Sequence, residues 1–224
     1  MNLNIFSRYQ KKKAGDRTTL LRKHSIDAEV FDYVFVEKYH RPTKEITNPA
    51  PVILDLGVNI GLTVVDFKQV YPGCTIYGYE LDSDNFHLAQ KNCRDLGGVH
   101  LYNKAVWKDS NGITYKKSGQ VDAYKVDANA GAQSDTVHAP SITIADMIRE
   151  HGLTRIDYVK MDIEGAEYEV FQQDTSWLDI TDQIKIEIHY DAEMFKFFEQ
   201  RLRERGFEAI KDTHHWTTLI GYKK

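Results

Sequence analysis

The reading turns on "PVILDLGVNIGLTVVDF", Pro51 to Phe67. "VILDLG" is a short apolar run of the kind that suits a strand buried on both faces. Beyond it, Val64, Phe67 and Tyr71 fall at i, i+3 and i+7, a helical stripe that Pro72 and Gly73 end. A glycine-rich turn between strand and helix is where dinucleotide-binding sheets seat a pyrophosphate on the helix N-terminus. This turn reads G-x-N-x-G instead of G-x-G-x-x-G. Asn59 carries a side chain near the position where a pyrophosphate needs bare backbone.

Outward from this turn the chain alternates strand and helix. "TIYGYE" is a second strand, and "DSDNFHLAQKNCRDLGG" a helix with Ser83 as N-cap, Cys93 and Leu96 on its apolar face and Gly97 closing it. "VHLYNKAVW" is a third strand; "TIADMIREHG" a helix capped by Thr143 and ended by Gly152; "IDYVKMD" a fourth strand; "EGAEYEVFQQ" another helix. In the fifth strand, "QIKIEIHY", Ile184, Ile186 and Ile188 share one face, and Lys185, Glu187 and His189 the other. "AEMFKFFEQRLRERG" is a helix with Met194, Phe195, Phe198 and Leu202 inward, and "FEAIK" and "WTTLIGY" form a final antiparallel pair. This order predicts an α/β fold, a doubly wound, mostly parallel sheet with right-handed crossovers. Ligands bind such sheets beyond the C-terminal strand ends. Asp55 to Gly61, Glu80 to Asp82, Asp162 to Glu167 and His189 all fall there.

Two stretches depart from the alternation. Residues 1–50 read as an N-terminal helical extension or cap, with Phe31, Val34 and Phe35 on a docking helix, Lys11 to Lys13 on a solvated face and "RPTKEITNPAP" as linker to the domain at 51–224. At about 108–140, "DSNGITYKK" reads as an Asn-Gly hairpin. Residues 127–140, almost without large apolar side chains, read as a mobile lid over the site or as a disordered surface insertion.

Bulk properties narrow the classes. The chain has 224 residues, enough for one domain with a substantial core. A net charge of −4 gives no support to a nucleic-acid or membrane-surface binder. No apolar run approaches the about 20 residues of a membrane span. In "MNLNIFSRYQKKK" the charge follows the mixed stretch, the reverse of a secretory signal. The expectation is a cytoplasmic protein with Cys74 and Cys93 as reduced, buried thiols. No stripe marks an interface, and a homodimer is left open.

The turn suggests a ligand without a pyrophosphate. S-adenosylmethionine offers an amino-acid tail, a ribose and an adenine. Gly57 can let the backbone pass close to the methionine part, Asn59 can bond its polar end, and Asp55 can face its ammonium directly or through water. Glu80 ends the second strand, 19 residues after Gly61, where a carboxylate can accept from both ribose hydroxyls. Taken together, "VILDLGVNIGLTV", "IYGYELDSDNFHLAQKN", "VHLYNKAVW", "ITIADMI", "IDYVKMDIEGAEYEVF" and "IKIEIH" resemble FkbM-type S-adenosylmethionine-dependent methyltransferases over about residues 50–190. The most specific part is K-x-D-[IV]-E-G-x-E, Lys160 to Glu167. The resemblance implies the Rossmann-like class I methyltransferase fold, seven strands with the last antiparallel. It implies cofactor contacts from Asp55, Gly57, Asn59, Gly61, Glu80 and Asp162, with Leu81 after the acidic strand end and Ala105 and Val106 bordering the adenine, and S-adenosylhomocysteine as product. Val58 stands where the family usually has alanine, and Leu81 where proline often follows.

Methyl transfer to a hydroxyl needs an aligned nucleophile and a proton acceptor. Asp162 ends the fourth strand, Glu164 follows at the mouth of the site, and Lys160 alternates with Asp162 and pairs with it. Asp162 has a second reading, as holder of the cofactor ammonium. Glu164 and Glu167 have one as acids at a helix N-terminus. His189 is a candidate general base with a near-neutral pKa. Asp162, Glu164, Glu187 and His189 would be the set for a divalent metal, an alternative ranked below a metal-free mechanism. His24, His40, His214 and His215 read as surface residues. The leading reading is O-methylation of a small-molecule or glycan hydroxyl, with no nucleic acid and no membrane involved. N-methylation of a peptide or amide, a nicotinamide-dependent oxidoreductase and a non-catalytic cofactor-binding module are the alternatives.

Overall fold

The structure, a computed structural model, describes residues 8–117, 124–126, 136–190 and 192–223. The N-terminal segment forms strands β1 (Tyr9–Ala14) and β2 (Arg17–Arg22) and helix α1 (Asp27–Phe35). Then come β3 (Val52–Leu56), α2 (Leu62–Val70), β4 (Thr75–Tyr79), α3 (Ser83–Asn92), β5 (Val99–Tyr102) and β6 (Ala105–Val106). An excursion carries β7 (Ile113–Lys117), β8 (Tyr124–Val126) and β9 (Thr136–Ala139). The chain ends with β10 (Ser141–Ile142), α4 (Ile144–His151), β11 (Ile156–Met161), α5 (Glu167–Phe171), β12 (Thr181–Glu187), α6 (Ala192–Glu204), β13 (Phe207–Lys211) and β14 (Thr218–Lys223).

The main sheet has seven strands in the order β13-β14-β12-β11-β3-β4-β5. β14 alone runs antiparallel to its neighbours, inserted between β12 and β13. Its central strands are buried on both faces. Ile53 and Tyr158 pack against Val64, Phe67 and Ala89 of α2 and α3. Leu54, Leu56, Val159, Met161, Ile184 and Ile186 pack on the opposite side with α4, α5 and α6. Alternation along each strand therefore feeds two cores, which makes the sheet doubly wound.

Register decides what meets at the strand ends. Leu56 lies opposite both Tyr79 and Met161, and Met161 opposite Ile186. The next residues, Gly57, Glu80, Asp162 and Glu187, thus leave the sheet at one level. One position earlier, Asp55 and Lys160 are partners across β3 and β11.

The N-terminal segment differs from its expectation in part. The helix is present, but it is preceded by a hairpin in which Lys11 to Lys13 lie on a strand. Leu21, Phe31 and Val34 are almost fully buried against Ile60, Leu62 and Leu88. Burial of each such side chain is worth roughly 1.5–3 kcal/mol. Arg22 fastens the corner by bonding Asp27 and reaching Asn85 of α3 at 2.8 Å. The proline-rich linker is a docked strap: Arg41 forks onto Asp66 at 2.8 Å through two nitrogens, and Lys44 and Gln183 exchange backbone–amide bonds.

Other local readings shift. The N-cap of α3 is Asp82, not Ser83; its carboxylate accepts the N–H groups of Asp84 and Asn85, and the helix stops at Asn92, before Gly97. Thr143 and Gly152 cap α4 as expected. "VHLYNKAVW" splits, because β6 pairs with β10 and not with the main sheet. Asn111-Gly112 precedes β7 and does not close a two-residue hairpin; β7 pairs with both β8 and β9. Of the proposed lid, 136–139 is strand, and 127–135 lies outside the described residues. Cys74 and Cys93 are free and buried. Among the described residues no helix is long and apolar enough to cross a membrane.

Candidate active site

Two cavities open at the C-terminal strand ends and share Gly57, Asn59, Asp162 and Glu164. The first runs along the ends of β3 and β4 and is walled by Glu80, Leu81, Ala105, Val106 and Trp107. The second lies under the N-terminal segment, between Val30, Tyr33 and Tyr39 and the row Lys160, Glu187, His189.

Glu80 is 6% exposed. Its two oxygens accept the N–H groups of Asn59 and Asp82, each at 2.8 Å. Burial pushes its carboxyl up to about 7 despite those bonds. Asn59 takes the left-handed conformation, φ 50°, and its Oδ1 is buried without a hydrogen-bond partner among the described residues. Leu81, Ala105 and Val106 line the same cavity.

Gly57 lines both cavities. Gly57 sits at φ 85°, and a Cβ there would fall 1.8 Å from the Asp162 carbonyl oxygen. Its bareness admits the neighbouring strand end. Gly61 lines neither cavity; it lets α3 close in, with Ala89 and Cys93 at about 3 Å from a would-be Cβ. Asp55 lines neither cavity and is 0% exposed. It accepts the Thr63 hydroxyl and faces Lys160 at 3.7 Å.

Lys160 is the buried cation of the site, at 2% exposure. It donates to the Gly57 carbonyl at 2.6 Å and lies 3.3 Å from Asp162, the pairing expected. Burial works against its charge, but Asp162 and Asp55 outweigh it and raise its pKa. Asp162 is held below the usual carboxylate range: burial opposes this, and Lys160 and His189 overcome it.

His189 stands among three carboxylates. Nδ1 lies 3.0 Å from Glu167, and Nε2 lies 3.5 Å from Glu164 and 3.7 Å from Asp162. Burial opposes its charge, yet the Glu167 hydrogen bond and the surrounding carboxylates lift its pKa to about 10. This corrects the near-neutral expectation: His189 carries a proton at neutral pH. Burial and the neighbouring Asp162 raise the Glu164 carboxyl to about 8. Glu187 does not join the cluster. It accepts from the Tyr39 hydroxyl at 2.9 Å and from Thr217 at 3.4 Å.

His24 and His214 are exposed as expected, but His40 and His215 line the second cavity. Burial and the Lys160 ammonium push His40 down to about 3. The Tyr39 ring lies between His40 and His215, tilted to both, with centroids 4.4 and 4.1 Å away. Nothing in "KYHRPTK" or "DTHHWTT" marks these residues as site-forming; only the docking of the strap brings them in.

The strand order, with one antiparallel strand second from the edge, and the strand-end loop facing Glu80 define a Rossmann-like class I methyltransferase fold. The chain belongs to the methyltransferase FkbM domain family, whose model matches residues 55–209. It is 24% identical over 242 residues to methyltransferase sdnD of Sordaria araneosa, covering 90% of each chain. It is 27% identical over 150 residues to the 2-O-methyltransferase NoeI of Sinorhizobium fredii, covering 59% of this chain and 61% of that one. Among solved structures, the FkbM methyltransferase of Methylobacillus flagellatus KT superposes with a TM-score of 0.55 at 15% identity over 88% of this chain. This chain spans about half of that one, 53%. The fibrillarin pre-rRNA processing protein of Methanococcus jannaschii gives a TM-score of 0.51 at 13% identity, over 96% of this chain and 82% of that one.

Proposed function

We propose that this chain transfers a methyl group from S-adenosylmethionine to a hydroxyl of a small-molecule or glycan acceptor. The observation that carries the reading is the junction of two cavities at Asn59, Asp162 and Glu164. One cavity has the chemistry for the cofactor and the other is open for an acceptor. The fit to the cofactor rests on three features. The unpartnered Asn59 Oδ1 is an acceptor for an ammonium. Glu80 is an acceptor for ribose hydroxyls. Leu81, Ala105 and Val106 make an apolar slot for a flat base.

When bound, the cofactor supplies an electrophilic sulfonium methyl; the C–S bond breaks with its electron pair to sulfur as the C–O bond forms. The protein's part is alignment and proton removal. Asp162 and Glu164, at the junction, hold the hydroxyl by accepting its hydrogen bond. Glu164, raised to about 8, takes the proton in its ionised form, so on this reading transfer rises with pH through that value. Lys160 keeps Asp162 ionised. Glu167 orients the His189 ring, and the protonated ring balances the acids around it. Tyr33, Tyr39 and His215 offer the acceptor an aromatic wall. The name of NoeI supports a hydroxyl as the methylated group.

The test is transfer of isotopically labelled methyl from S-adenosylmethionine to hydroxyl-rich acceptors, with the product bond identified by mass spectrometry. An ether product is expected. Methylation at nitrogen, or NAD-dependent oxidation of the same acceptors, would overturn the reading.

A further inference from the structure

The loop after β11 and the end of β12 bring three metal-type donors to one place. A carboxylate oxygen of Asp162, one of Glu164 and a ring nitrogen of His189 all lie within 4.8 Å of one another. Nε2 of His189 is 3.5 Å from Glu164 and 3.7 Å from Asp162. Bonds of about 2.0–2.2 Å place the donors of an octahedral cation about 3 Å apart when adjacent and about 4 Å when opposite. Shifts of about an ångström or less close the set around an ion.

The imidazole is already oriented for this. Glu167 is 0% exposed, sits 3.0 Å from Nδ1 and is pinned by the N–H groups of Ile163 at 3.1 Å and Gly165 at 3.3 Å. Metal-binding histidines give their second ring N–H to such a carboxylate, which fixes the tautomer. With Nδ1–H donated to Glu167, Nε2 faces Asp162 and Glu164, and a cation bound there displaces the Nε2 proton to solvent. Oε2 of Glu167 is buried with no hydrogen-bond partner among the described residues, so Oε1 alone carries the bonds that hold the carboxylate behind the ring. Lys160 does not neutralise the set, because its one ammonium also serves Asp55 and the Gly57 carbonyl.

We propose that Asp162, Glu164 and His189 bind one small divalent cation of the Mg²⁺ or Mn²⁺ kind, which takes the acceptor's hydroxyl as a further ligand. The two carboxylates suit both cations, and the imidazole favours Mn²⁺ of the two. The ion site stands on the protein alone; only its role toward the hydroxyl rests on the methyl-transfer reading. In that role the cation replaces Glu164 as the means of proton removal: Glu164 serves as a ligand, the ligated hydroxyl gives its proton to solvent water, and its oxygen bonds to the methyl carbon as the sulfur keeps the C–S pair.

The experiment is a titration of the full chain, free of cofactor, with Mn²⁺ followed by electron paramagnetic resonance and calorimetry. One Mn²⁺ per chain is expected, weakened at least tenfold in both Glu164→Gln and His189→Ala, and by roughly 10–100-fold in Glu167→Gln. Circular dichroism shows whether each variant is folded, and either of the two ligand variants suffices, since both side chains are partly exposed. No Mn²⁺ or Mg²⁺ binding up to roughly 1 mM overturns the site. So does Mn²⁺ binding that the folded ligand variants leave intact. A parallel S-adenosylmethionine titration separates the two readings. Cofactor binding and EDTA-resistant methyl transfer without an ion remove the ion only. Ion binding with no cofactor binding removes the methyl-transfer reading only.

Discussion

Glu80 shows how one side chain ties burial to ligand binding. Free, its carboxyl is pushed up to about 7 by burial. Two ribose hydroxyls donating to it favour the ionised form, so binding lowers its pKa and releases a proton. On the proposed reading, affinity for S-adenosylmethionine therefore rises with pH, roughly tenfold between pH 6 and pH 8 as the ionised fraction grows. Calorimetry across that range checks this, and Glu80→Gln should flatten the dependence. Lys160 makes a prediction about stability. It is buried between Asp55 and Asp162, so Lys160→Met strands two carboxylates without their cation. A loss of about 3–5 kcal/mol is expected in urea unfolding. A loss under about 1 kcal/mol would mean that the two acids find another partner.

At the scale of elements, the strand ends and their turns carry the site. Gly57→Ala places a methyl against the Asp162 carbonyl in a left-handed conformation. The conformation alone costs about 1–2 kcal/mol, and the clash adds to it by pushing β11 away from β3. A drop in stability beyond that figure, with loss of cofactor binding, is the expected result. The strap makes a weaker prediction. Arg41→Met leaves Asp66, 2% exposed, without its forked partner. Because Arg41 itself is 31% exposed, the cost is discounted to about 1–2 kcal/mol in thermal or urea unfolding.

The same scale shows what the sequence made legible. Apolar runs at strand spacing and stripes at helix spacing were enough for the sheet, because β3, β4 and β11 face two cores, while β12 alternates apolar Ile184 and Ile186 with polar Lys185 and Glu187. Thr143 and Gly152 were readable because capping is local. The β1–β2 hairpin was not readable, since "QKKKAGDRTTLL" is polar on most of its length and its burial comes from α1 and α3. The splitting of "VHLYNKAVW" depends on β10, about forty residues away, which no local pattern announces.

Across the whole molecule, the sheet supplies the strand-end acids, and the N-terminal segment supplies the far wall of the second cavity. Asn59, Glu80, Asp162 and His189 were identifiable in the sequence because each follows a strand. Tyr39, His40 and His215 were not, since a strap and a late turn bring them together only in the fold. The charge of His189 was missed for a related reason: its pKa is set by Glu167, a buried acid on another element. The central claim is that the first cavity binds S-adenosylmethionine and not a dinucleotide. Titration calorimetry of the purified chain with S-adenosylmethionine and, separately, NAD tests it most directly. The account predicts saturable binding of S-adenosylmethionine at one site per chain, with no heat from NAD. Saturable NAD binding with none of S-adenosylmethionine would contradict it.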